Sequence, residues 1–229
     1  MHNNKETALL KYLEEFIYDR RKKLILDTIQ NRTRFITVVL ENVYHPQNAS
    51  AVLRTCECLG IQDVHIIEKN NKYEINKHIV KGANKWLDLH YYRKKDEDNT
   101  NTCIQHLKKE GYKIIATTPH TNDTELNEFK PDQKCAIVFG SEDEGISKEV
   151  IAQADGFLKI PIYGFTESYN LSVSAGIILN HCVNYLQKNT EANWHLSEDE
   201  ILEKRIDWSV KSIKKGKEIM KLFQKNILL

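Results

Sequence analysis

Apolar positions follow two rhythms along this chain of 229 residues. Leu9, Leu10, Leu13, Phe16 and Ile17 recur at spacings of three and four, which predicts a helix over 5–30. Ile36–Glu41 is instead a continuous β-branched run and predicts a buried strand. Pro46 then breaks the chain. Asn48 is a good N-cap for a helix to about residue 59, with Gly60 as its C′ residue. Short apolar runs predict further strands over 63–68, 87–92, 112–117, 134–139 and 157–162. Helices are expected over 73–80, 100–110 and 147–154, with Gly111 ending the second and Ser147 capping the third. Residues 170–187 place Leu171, Ala175, Ile178, Cys182 and Leu186 on one helical stripe, and 198–226 form one or two more helices. Loops are expected around Gly82 and over 93–98, and a linker over 188–195. Strands alternating with helices indicate an α/β domain with a mostly parallel sheet. Such sheets bind ligands beyond the carboxyl ends of their strands.

Length and composition narrow this to one domain with extensions. Hydrophobic residues make up 41% and charged residues 28%, enough apolar material for one sizeable core. No apolar run approaches the ~18 residues of a membrane span. The first residues contain no signal-peptide apolar region, so the cytoplasm is the expected compartment. Only nine Gly and four Pro argue against disorder and against a turn-rich sandwich. The five cysteines are odd in number, scattered and without a CxxC pair. No metal site is expected, and each cysteine reads as a small buried hydrophobe.

The net charge of +1 hides an asymmetry. Between Arg20 and Arg34 six basic residues stand against Asp27; between Lys204 and Lys225 eight stand against Asp207 and Glu218. The body over 35–203 is acidic, at −8. Basic ends on an acidic body suit a polyanion clamp, or two solvated helix faces.

The chain lacks GxxxxGK[ST], GxGxxG, GxSxG and HExxH, so most familiar α/β chemistries lose their signature. Three segments at predicted strand ends remain. The first is Glu41-Asn-Val-Tyr-His-Pro-Gln-Asn48-Ala-Ser-Ala-Val-Leu-Arg54-Thr. The second is Phe139-Gly140-Ser-Glu142-Asp-Glu-Gly145. The third is Ile160-Pro-Ile-Tyr-Gly-Phe-Thr-Glu-Ser168-Tyr-Asn170-Leu-Ser-Val-Ser. Singly they read as a helix cap, a tight turn and a second cap. The third would also place hydroxyl, amide and free N–H groups at a helix N-terminus.

In this order the three resemble the motifs of the SpoU-type RNA 2′-O-methyltransferases of the SPOUT superfamily. Those motifs are Asn-x5-Arg-[Ser/Thr], Gly-x-Glu-x-x-Gly and Ile-Pro-Met-x-Gly…Ser-Leu-Asn-Val-Ser. The resemblance runs over about two thirds of the chain, from about 35 to 186. Val39–Pro46, Gly82-Ala-Asn-Lys-Trp86 and helical extensions at both ends look most like the TrmH branch, which methylates guanosine 18 of tRNA. The resemblance implies a parallel α/β domain with a deep C-terminal trefoil knot, plus helical extensions at both termini. The implied division is a basic helical extension over 1–34, a knotted catalytic domain over 35–188 and a second basic helical extension over 189–229.

By the same resemblance the cofactor is S-adenosylmethionine, contacted by Thr117, Gly140, Ile160, Tyr169 and Leu171. Arg54 is the catalytic position, with Asn48, Glu142, Ser168 and Asn170 around it. The enzyme works as a homodimer, without metal or membrane. The substrate is tRNA, held by basic helices through Arg20, Arg21, Lys22, Lys211, Lys214, Lys215 and Lys221. The chain departs from the family at Gln47, Ile162, Tyr169 and Leu171, which touches pocket shape rather than the polar positions. Two alternatives stand beside this reading. One is the same chemistry at another tRNA position or on ribosomal RNA; the other is an RNA-binding module without turnover.

Overall fold

The computed structural model describes residues 2–119, 124–189 and 193–227; three residues of the expected linker, 190–192, lie outside that description. The chain forms two compact units. One is Thr33–Trp194, and the other joins Met1–Arg32 with His195–Leu229.

The terminal unit contains α1 (His2–Glu14), α2 (Asp19–Ile29), α8 (Glu198–Ser212) and α9 (Gly216–Ile227). The helix expected over 5–30 is thus two helices, because both apolar stripes pack on α8. An unbroken helix of that span would run ~39 Å, at 1.5 Å per residue, and could not fold back on it. Leu9, Leu10, Leu13, Ile17, Ile25, Ile29 and Trp208 are buried there. Tyr12 stacks on Phe223, and Arg205 pairs with Glu14 at 2.6 Å.

Among the described residues the larger unit is built on seven parallel strands: β1 (Ile36–Glu41), β2 (Asp63–Ile67), β3 (Asp88–Tyr92), β4 (Lys113–Thr117), β5 (Thr124–Glu125), β6 (Cys135–Phe139) and β7 (Gly156–Lys159). Their order is β3-β2-β1-β6-β4-β7-β5. The pleat divides β1 between two cores. Ile36, Val38 and Leu40 join one apolar cluster with α3 (Pro46–Cys58) and α7 (Leu171–Lys188). Val39 joins the other with α5 (Asn99–Lys109) and α6 (Lys148–Ile151). Both faces are buried, which is why the strand reads as a continuous apolar run.

Three differences from the sequence reading have physical causes. The helix expected over 73–80 is confined to α4 (Lys77–Val80), because Ser50 Oγ accepts the Asn76 N–H and holds the chain before it extended. The strand expected to reach 162 stops at Lys159, just before Pro161, which has no N–H for the ladder. β5 is two residues long, too short to carry a periodic signal. Four cysteines are buried, but Cys58 is exposed, against the expectation for all five.

A histidine cluster lies along β2 and β3. His65 stacks on His90 at 4.5 Å, its Nδ1 is 3.2 Å from the Tyr92 hydroxyl, and His90 Nε2 is 2.7 Å from Asp63. Burial, and then the neighbouring His90, push the His65 pKa down to about 3. Its folded value lies below its unfolded value, so the unfolded chain binds more protons below pH 6.5. Stability is fully present above that pH and falls as pH drops toward 3. At pH 5 the loss is about 2 kcal/mol, at ~1.36 kcal/mol per unit. Urea unfolding at pH 7 and pH 5 should show it, and His65→Gln should flatten the difference.

Candidate active site

β1 and β6 are neighbours, yet the chain leaves them for opposite faces, through α3 and α6 respectively. A crevice opens where such connections diverge. The loops that meet there carry the first and second motif segments.

α3 begins at Pro46, with His45 as N-cap and proline at the first helical position, where a missing N–H costs nothing. Asn48 is therefore not the cap that the sequence predicted. Its side chain is free to reach outward, and it joins three loops. Its Nδ2 donates to Glu142 Oε1 at 2.7 Å, and its Oδ1 accepts from Asn170 Nδ2 at 3.1 Å. Asn170 caps α7 and accepts from the Ser172 N–H at 2.9 Å and the Ser172 hydroxyl at 2.7 Å. Glu142 also accepts from the backbone N–H of Tyr44 and His45, at 2.9 and 3.3 Å. Partial burial pushes the Glu142 pKa up. The bonds from Asn48, from the Tyr44 and His45 backbone and from its own N–H outweigh this and hold it below the usual carboxylate range. Glu142 is thus an anionic anchor for Asn48.

Arg54 and Ser168 stand outside this relay. Both are exposed and make no hydrogen bond or ion pair with any described residue. Arg54 edges an open groove of about 550 Å³ between α3 and α7, with Ala51, Thr55 and Cys58 beside it and Gly176 and Asn180 opposite.

The loop after β6 is folded tightly. Ser141 and Gly145 exchange N–H···O bonds at 3.0 Å each. A Cβ on Gly140 would lie 2.1 Å from the Gly145 carbonyl oxygen, so only glycine permits this approach. The remaining expected cofactor residues lie nearby in sequence or sheet order. Thr117, at the end of β4, donates its hydroxyl to the Val138 carbonyl of β6 at 2.9 Å. Ile160 and Leu171 are partly buried against the core, and Tyr169 is exposed. In the loop between β7 and α7, Tyr163 and Phe165 are fully exposed, at 94% and 108%. The sequence reading passed over these two rings and the Tyr44 and His45 N–H groups; no spacing rule marks a backbone donor.

The basic residues divide by environment. Arg20, Arg21, Lys214 and Lys221 are exposed on the terminal unit. Lys22 and Lys211 are tied within their own helices to Asp19 and Asp207, and Lys215, in the turn before α9, pairs with Glu218. Three residues counted in the basic ends do not belong to a polyanion surface. Arg32 is 1% exposed with its guanidinium over Trp208, Lys204 is buried, and Arg34 pairs with Asp63 and Asp88.

Among the described residues no helix is long and apolar enough to cross a membrane.

A parallel sheet whose divergent loops tie together an asparagine, a glutamate and a second asparagine defines a class. Residues 35–180 match the SpoU rRNA Methylase family, and the chain belongs to it. It is 40% identical over 178 residues to a tRNA (guanosine(18)-2′-O)-methyltransferase of Borreliella burgdorferi, covering 78% of this chain and 79% of that one. A Thermus thermophilus protein of the same name is 32% identical over 161 residues, covering 70% and 80%. The crystal structure of an Aquifex aeolicus TrmH/SpoU tRNA modifying enzyme superposes with a TM-score of 0.76 at 28% identity, covering 86% of this chain and 98% of that one.

Proposed function

We propose that this protein transfers a methyl group from S-adenosylmethionine to the ribose 2′-OH of guanosine 18 in tRNA. The observation that carries the reading is the Glu142–Asn48–Asn170 relay, which joins all three motif loops beyond the strand ends, taken with the family and its curated relatives.

The residues present fit the cofactor. Gly140 lies in a turn that a single Cβ would fill, and the loop before α7 leaves apolar rings uncovered. Thr117, Gly140, Ile160, Tyr169 and Leu171 would hold it. S-adenosylmethionine supplies an already activated methyl group on a sulfonium. The protein must then hold the hydroxyl in line and stabilise the oxygen as its proton leaves. Arg54, exposed and unpaired among the described residues, binds the phosphate beside the target ribose and the developing alkoxide. Glu142 fixes Asn48, and Asn48 fixes Asn170 and the start of α7. Ser168 faces the substrate side.

The working form is a homodimer that closes a knotted domain around the cofactor. Val173 and Ile177 are exposed apolar residues on α7, and the groove beside Arg54 is lined by small and apolar residues, a surface suited to a second copy. Arg20, Arg21, Lys214 and Lys221 supply phosphate contacts from the terminal unit, with Lys22, Lys211 and Lys215 released from their ion pairs as RNA binds. A tRNA substrate is compatible with the cytoplasm.

The test is methyl transfer from labelled S-adenosylmethionine to a tRNA transcript, beside a transcript with guanosine 18 replaced. Label should appear in the first and vanish in the second. Label on both would keep the methyltransferase and discard the position, and label on neither would favour a binding module.

A further inference from the structure

Glu41 is a charge in an apolar place. It ends β1, its side chain is 2% exposed, and the spacing of the motifs gives it no role. Four groups from three segments converge on its carboxylate. Oε1 accepts from the Ser147 hydroxyl at 2.6 Å and the Thr100 hydroxyl at 3.0 Å, with Lys69 Nζ at 3.4 Å. Oε2 accepts from the Ser147 N–H at 3.1 Å. A buried carboxylate is costly unless it is bonded in this way, and a well-packed apolar residue commonly serves stability as well or better. Two of its four partners belong to Ser147, the residue that closes the loop after β6.

The other end of that loop is held in the reverse sense. Glu142 reaches back and accepts from Tyr44, His45 and Asn48, the residues just after Glu41. The segments 41–48 and 140–147 therefore grip each other through one carboxylate apiece. Gly145 lies between the two grips and Gly140 just before them, with backbones in close approach.

We propose that Glu41 is a positioning residue for methyl transfer: its buried carboxylate, through Ser147, sets the loop that presents Gly140 and Glu142. The inference rests on the function proposed above and adds a residue to it. If loop 140–147 were gripped only at Glu142, the turn could pivot about that point, and both the cofactor-facing backbone and Asn48 would drift. A displacement of ~1 Å at such a site can cost 10²-fold in rate.

The experiment compares Glu41→Gln and Ser147→Ala with Thr37→Val. Thr37 is a buried β1 residue whose hydroxyl donates to the Asp63 carbonyl, away from the loop, and it serves as a control for plain destabilisation. Ser147→Ala removes one hydroxyl and retains the N–H, so the fold survives even if Glu41→Gln does not. The readouts are melting temperature, kcat and KM for tRNA, calorimetric S-adenosylmethionine binding, and hydrogen exchange at the Ser141 and Gly145 amides of the unliganded protein. Both loop variants should lose between about 10- and 100-fold in kcat, bind cofactor more weakly and exchange those two amides faster, with KM for tRNA within about twofold. Thr37→Val should lose comparable melting temperature and keep kcat. Loop variants that lose melting temperature but keep kcat, cofactor affinity and slow exchange would overturn the proposal. Should the unaltered protein bind no S-adenosylmethionine, the functional reading falls. Unchanged exchange in the variants would then overturn the grip separately.

Discussion

Gly140→Ala is expected to lower methyl transfer by at least about 100-fold while the sheet stays folded, since ~1 Å of misplacement at a reacting site suffices for that loss. The reason is close approach rather than backbone freedom. Its Cβ would stand 2.1 Å from the Gly145 oxygen and 2.4 Å from the Ile146 nitrogen. These are backbone atoms, which cannot swing aside as the end of a side chain can. The turn would have to open, and the paired bonds between Ser141 and Gly145 would break. Glu142 would then leave the Tyr44 and His45 N–H groups, and Asn48 would lose its anchor. The buried strand behind the turn, Cys135–Phe139, has its own ladders to β1 and β4 and should hold. Circular dichroism melting should therefore change little while calorimetric binding of S-adenosylmethionine disappears. Normal cofactor binding by the variant would show that the loop after β6 does not form the pocket.

Arg54→Ala is expected to cost about 10³-fold in kcat/KM. A guanidinium on a phosphate makes two charge-assisted hydrogen bonds, each contributing about 1.5–3 kcal/mol, and tenfold in rate corresponds to 1.36 kcal/mol. The alternative role, general base, is expensive. A guanidinium holds its proton far above neutral pH, so using one as a base at pH 7 would cost several kcal/mol. Arg54 is exposed beside an open groove, where a phosphate can reach it. Arg54→Lys separates the two roles. A lysine supplies charge without the bidentate fork. It should recover about tenfold over alanine at one contact's worth of energy, with an unchanged pH–rate profile. Near-complete recovery would argue against bidentate orientation, and a shifted profile would argue for proton abstraction.

Much of the fold was legible because its signals are local. The continuous run of β1 and the alternation of short strands with helices follow from residues adjacent in the chain, and both appear in the structure. The Ser147 cap of α6 appears as read, accepting from the Val150 N–H. The break inside 5–30 was not legible, because the same period continues across it and only packing on α8 decides where the chain turns. The strand order was equally hidden. β6 lies between β1 and β4, an insertion that no local pattern records.

The site divides along the same line. By itself the sequence determined which polar residues are available, Asn48, Arg54, Glu142, Ser168 and Asn170, and their order along the chain, because motif spacing is a local property. Only the tertiary structure decided which of them act together. Asn48 and Glu142 are 94 residues apart, and Asn48 and Asn170 are 122 apart. The first bond exists because parallel strands bring the carboxyl ends of β1 and β6 side by side, and the second because α7, which Asn170 caps, packs on α3, which carries Asn48. Tertiary packing likewise withdrew Arg32, Lys204 and Arg34 from the basic ends and gave Glu41 its four partners. A formal charge is visible in a sequence, but whether it meets water, an aromatic ring or a buried serine depends on the residues folded against it.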